Sequence, residues 1–109
     1  MQSRSSSGTR CVVVVRHAIK PGKYDYARQR IESNGVRMAE AQGFVSRILV
    51  HPYGQTDELA TVTVWDSKQS YDTWVEQNRK ANVHRDAESP YVGSPDTRVF
   101  EAISGLGSF

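Results

Sequence analysis

The chain has 109 residues, 38% of them hydrophobic and 24% charged, which leaves room for one core and one modest pocket but not for a second domain, and excludes wholesale disorder. Its longest apolar run, residues 11–15, stops at Arg16, far short of the roughly 20 residues of a membrane helix, and its lone cysteine excludes an internal disulfide or a cysteine zinc cage. Within a net charge of +2, residues 1–23 carry five basic side chains and no acid, so the remainder is net −3; no basic cluster interleaved with aromatics tracks phosphates, and nucleic acid is not an expected partner.

In chain order, residues 1–9 are rich in Ser, free of acids and without an apolar stripe, and read as a disordered tail or the remnant of an organelle transit peptide. The corresponding compartment is the cytoplasm or an organelle stroma such as the plastid. Residues 10–19 form the first predicted strand, because four consecutive valines favour the pleated backbone and Pro21-Gly22 closes the run. Such a strand is apolar on both faces, so both need cover, and Cys11 within it reads as core. Over residues 23–42, Tyr24, Ala27, Ile31, Gly35, Met38 and Ala41 recur at helical spacing, with Gly43 as the stop. Residues 44–50 and 59–65 are two strands pairing antiparallel across a loop marked by Pro52 and Gly54. Asp66 or Ser67 caps a second helix, with Gln69 placed to reach back to Asp66, and Tyr71, Trp74, Val75 and Asn78 continue one face. Residues 85–96, with Pro90, Gly93 and Pro95, read as loop, 97–103 as the last strand and 105–109 as a tail.

This order, βαββαβ, predicts an α+β, ferredoxin-like domain over residues 10–104: one antiparallel four-stranded sheet with both helices on one face. The other face is left bare. A second copy or a ligand must cover it, and a homodimer is the expected state.

No nucleophile elbow, Walker loop, dinucleotide fingerprint, HExxH or EF-hand pattern occurs, and Asp86 and Glu88 have no evident basic partner, so hydrolase and kinase chemistry lack support. What stands out is Trp65, Trp74 nine residues on, and His84 ten residues after that. By periodicity alone, Trp65 at the sheet rim and Trp74 on the inner helix face are core residues, and His84, between Val83 and Arg85, is a solvated helix-end histidine. Of the neighbours Arg16 and His17, one must point inward; His51 reads as a solvated loop residue.

The segment Thr63-Val64-Trp65-Asp66-Ser67-Lys68-Gln69-Ser70-Tyr71-Asp72-Thr73-Trp74, with Gly43-Phe44 before it and His84 after it, resembles the haem-degrading monooxygenases of the antibiotic-biosynthesis-monooxygenase superfamily, over about residues 11–103. The resemblance implies a dimeric α+β barrel of ferredoxin-like subunits. It implies haem as both cofactor and substrate, held by His84 as axial iron ligand and contacted by Ile31 and Trp74, with Trp74 distorting the ring so that it is opened by O2. Iron and a linear tetrapyrrole would leave, and an unidentified external donor would supply the electrons, since no flavin or nicotinamide motif is present. Relatives carry an asparagine on the first strand where this chain has Arg16, which is therefore the expected catalytic partner of Trp74. A guanidinium there donates hydrogen bonds or pairs a haem propionate, and His17 takes the place if the register shifts by one. On an unbroken helix, ten residues span about 15 Å and leave Trp74 and His84 roughly 80° apart, so the helix should bend or end in the polar stretch 78–82. The alternatives are a cofactor-free monooxygenase acting on a quinol-like substrate in the same barrel, and a haem-binding barrel without turnover.

Overall fold

The computed structural model describes residues 9–81 and 88–107. The valine run becomes β1 (Cys11–Ala18), followed by α1 (Tyr24–Met38), β2 (Phe44–Val50), β3 (Glu58–Trp65), α2 (Lys68–Ala81) and β4 (Asp96–Glu101). The sheet order is β2-β3-β1-β4, and every neighbouring pair is antiparallel. Each helix therefore connects two parallel strands across an intervening antiparallel one. Right-handed crossovers put both helices on one face, and the fold is α+β and ferredoxin-like.

Element ends differ from the sequence reading for identifiable reasons. The helical stripe runs to Ala41, yet α1 stops at Met38, because Glu40 and Ala41 donate to the carbonyls three residues back, of Arg37 and Met38, in tightened turns. Ala41 still packs on the core, so its apolar spacing outlasts the helix. Gly43 turns the chain into β2 at φ +89°, and its carbonyl accepts from the Asp66 N–H at 2.8 Å. At α2 the cap is Ser67, whose Oγ accepts from the Ser70 N–H at 3.1 Å. That puts Ser70, not Gln69, at the third helical position, and the Asp66 carboxylate takes the Ser70 hydroxyl at 2.6 Å. The predicted reach of Gln69 to Asp66 is thereby corrected. β4 ends at Glu101 rather than 103 because its partner ends: Cys11, the first residue of β1, pairs with Glu101.

Alternation along β1 turns Cys11, Val13, Val15 and His17 toward the helices, and Val12, Val14 and Arg16 to the bare face. The helix-side core falls into two clusters. Cys11, Val13, Met38, Trp65 and Trp74 form one, with Phe44 and Tyr71 against it; Ile19, Ala27, Ile31 and Leu59 form the other, with Tyr24, Leu49 and Tyr91. Trp65 ends β3 at the rim of the sheet and is a core residue, both as expected. It is fully buried beneath α2, its Nε1–H bonded to Thr63 Oγ1 at 3.2 Å and its ring edge-on to Phe44 and Tyr71. Among the described residues no helix is long and apolar enough to cross a membrane.

Candidate functional site

A domain of this size usually has one contiguous core. Here the two clusters are separated by an open cavity of about 680 Å³ between the helices and the inner sheet face. That volume lies within the roughly 300–1,000 Å³ range of small-molecule sites. Val13, Val15 and His17 of β1, Arg47 of β2, and Thr61 and Thr63 of β3 form its floor. Helix α1 contributes Arg30, Ile31, Arg37 and Met38, helix α2 contributes Tyr71, Trp74 and Val75, and Tyr91 closes one end.

The structure brings Ile31 and Trp74 together on this cavity, one from each cluster and each less than a tenth exposed. Trp74 is held on two sides. Its indole stacks on Trp65 with centroids 6.4 Å apart and planes 29° from parallel, and the Arg37 guanidinium lies 5.6 Å from its centroid. Arg37 Nη2 also donates to Asn78 Oδ1 at 3.0 Å, tying α1 to α2 across the indole. This bracing suits a ring that bears on a ligand without yielding.

Arg16 does not line the cavity, which corrects the expectation that it stands inside. The period of two along a strand sends it to the bare face, where it forms a two-point pair with Glu58 at 2.8 and 3.3 Å. There the guanidinium holds the Glu58 carboxyl below its ordinary range. His17 is the inward residue, its ring 4.7 Å from that of Tyr91. His84 lies outside the described residues. Helix α2 runs without a break from Lys68 to Ala81, and the path from there to His84 lies outside the described residues.

The sequence reading missed the cavity's basic lining. Arg30, Arg37 and Arg47 all border it, whereas none of its lining residues among those described is an Asp or Glu. The Arg30 guanidinium sits 5.7 Å from the ring centroids of both Tyr26 and Tyr91. The signal was present in Arg47, a charge sharing strand parity with the inward Leu49, and in Arg30 and Arg37, seven apart on one helix face.

Burial, and secondarily the charge of Arg47, hold His17 below its ordinary pKa of 6.5. The unfolded chain takes up a proton on this residue near that value and the folded chain does not, so stability falls as pH drops below 6.5 and is unaffected above it. Urea unfolding at about pH 7.5 and about pH 5.5 should show this acid loss in the parent and a smaller one in His17→Gln. Equal losses would mean that His17 is not kept neutral by the fold.

Residues 10–87 match the family model for antibiotic biosynthesis monooxygenase. Among solved structures, a MhuD mutant with two manganese protoporphyrin IX molecules bound per active site is 18% identical, with a TM-score of 0.76 over 90% of this chain and 99% of that one. The haem degrader MhuD from Mycobacterium tuberculosis, with two haems in its active site, is 19% identical over 88% and 99% of the two chains, with a TM-score of 0.71. SnoaB from Streptomyces nogalater, a cofactor-independent oxygenase, is 15% identical over 90% and 97%, also with a TM-score of 0.71. No curated protein sequence matches the chain. At such identities the solved structures share the fold and no more, but the family model covers well over half of the sequence, from the start of β1 to beyond the end of α2. The chain belongs to the antibiotic biosynthesis monooxygenase family.

Proposed function

We propose that this protein is a haem-degrading monooxygenase, binding haem in the cavity between the helices and the sheet and opening the porphyrin ring with O2 and electrons from an external donor. The observation that carries this reading is the lining: apolar and aromatic walls with Trp74 braced among them, three arginines, and no acid among the described residues. A flat apolar macrocycle bearing carboxylates is complementary to such a lining, and MhuD, which shares the fold, holds haem. His84, ten residues after Trp74, supplies a neutral imidazole for the iron, as the resemblance implies. When bound, haem supplies the iron that takes up and reduces O2. The chain's part would be positioning: Ile31 and Trp74 would contact the macrocycle, Trp74 would press against it, and the arginines would compensate its propionates.

A second reading is favoured by a specific feature. His17, neutral and beside the Arg47 charge, suits removal of a proton from a phenolic or quinol-like substrate, with the guanidinium opposite the resulting oxyanion. SnoaB shows that this fold supports oxygenation without a cofactor. Haemin titration separates the readings. Degradation predicts a Soret band that bleaches with ascorbate and oxygen; a band stable under those conditions means binding without turnover, and no band means the cofactor-independent reading.

The reading includes a homodimer. Its support is the bare sheet face, where Val12, Val14 and Val62 are joined by Ile48, Val50 and Phe100, each of the last three at least two-fifths exposed. A second copy covering this face would bury an apolar patch that a monomer leaves in water. Light scattering at micromolar concentration should give twice the chain mass, and a monomer would refute the arrangement.

A further inference from the structure

Arg47 and His17 share a property that no other cavity residue among those described has. Arg47 Nε and His17 Nδ1 are each buried without a hydrogen-bond partner. A buried polar atom left unpaired costs free energy, and such atoms in a native structure call for a reason.

The surroundings of Arg47 are built to admit it. Its pairing with Thr63, which pairs in turn with Val13, turns it to the helix side, and its guanidinium lies against α1 at Gly35. A Cβ at position 35 would sit 1.9 Å from Arg47 Nη1 and 2.9 Å from Cζ. Glycine within a helix is disfavoured relative to alanine, and here it clears the space the guanidinium occupies. Burial disfavours the charge on Arg47, and Glu32, the acid that favours it, is itself engaged by Arg28 at 3.3 Å. A guanidinium nonetheless stays protonated, so a half-buried cation faces the cavity with no anion bonded to it among the described residues. His17 stands in the field of Arg47, with the Tyr91 ring tilted against it, and Arg30 lies over the same Tyr91.

We propose that Arg47 and His17 form an inner anion subsite of the cavity, which grips a carboxylate on an aromatic ligand. One guanidinium beside one neutral imidazole compensates a single negative charge, as a carboxylate carries and a phosphate dianion exceeds. The aromatic and apolar walls select the body to which that carboxylate is attached. The inference rests on the cavity being the ligand site, and not on the ligand being haem.

The test titrates the protein with naphthoate and, separately, with naphthalenemethanol, following tryptophan fluorescence and the NMR signals of Arg47 Nε–H and the His17 ring. Naphthoate should bind more tightly and shift both signals. Arg47→Met should weaken naphthoate roughly tenfold, the scale of one charge-assisted hydrogen bond, and leave the alcohol unchanged. Gly35→Ala should also reduce the preference for naphthoate, because the added methyl displaces Nη1 while the helix itself is strengthened; it serves as the second variant if Arg47→Met folds poorly. Equal binding of acid and alcohol by the parent, or an undiminished preference in the variants, would overturn the subsite. A naphthoate preference without a haem Soret band would refute the haem reading and leave the subsite standing, whereas a Soret band without that preference would do the reverse.

Discussion

On the proposed reading, in which His84 would hold the haem iron, His84→Ala is expected to cut haem affinity by roughly 100-fold, since loss of an iron ligand should cost at least as much as loss of the outer-shell groups that orient such ligands. The Soret band should move and broaden, and far-UV circular dichroism should stay at the parent's, because both core clusters and all four strands are built from other residues. Free imidazole added to the variant should restore the parental spectrum by entering the space the side chain leaves. An unchanged haem spectrum in His84→Ala would remove His84 from the site. The iron ligand would then be sought in His17, the histidine that lines the cavity among the described residues.

The fold was legible because its signals are local and repeated. Four valines in succession, a stripe from Tyr24 to Ala41 and paired strands around Pro52 and Gly54 each agree with one element order, and that order admits few sheets. The ends of elements were less legible, since they depend on partners distant in sequence: β4 stops where Cys11 stops, and the cap of α2 falls at Ser67 because Asp66 is engaged with Ser70 and Gly43. The site was half visible. Trp74 and Ile31 sit on inward helical faces that periodicity identifies, so their meeting on one cavity follows from the pattern. A count along the chain points Arg16 inward, but in a strand a difference of one residue changes the face, and it is His17 that faces the cavity. Arg47 escaped notice because a single charge in a strand is ordinarily turned to solvent. Its signal lay in combination with Gly35, which the pattern counted merely as a small residue in an apolar stripe. Only the packing of β2 against α1 joins the two.

Trp74→Phe separates binding from chemistry, and the structure supplies its control. Trp65 and Trp74 are stacked neighbours of one cluster, but Trp74 borders the cavity and Trp65 does not. Trp65→Phe removes volume from a fully buried site along with the Nε1–H bond to Thr63, and should cost about 1–3 kcal/mol of stability while leaving the cavity wall in place. Trp74→Phe surrenders part of the stack and of the Arg37 contact, a smaller loss of about 1 kcal/mol. The order of effects on turnover should be reversed. A phenyl ring at position 74 is smaller and less firmly braced between Trp65 and Arg37, so it bends a flat ligand less. Haem should remain bound through His84 while single-turnover degradation slows several-fold, and Trp65→Phe at equal haem occupancy should degrade it near the parental rate. Opposite ranking in stability and in turnover is what a purely structural role for Trp74 cannot produce. Equal turnover in the two variants, or a Trp74→Phe rate matching the parent, would leave Trp74 as a core residue that happens to border the cavity.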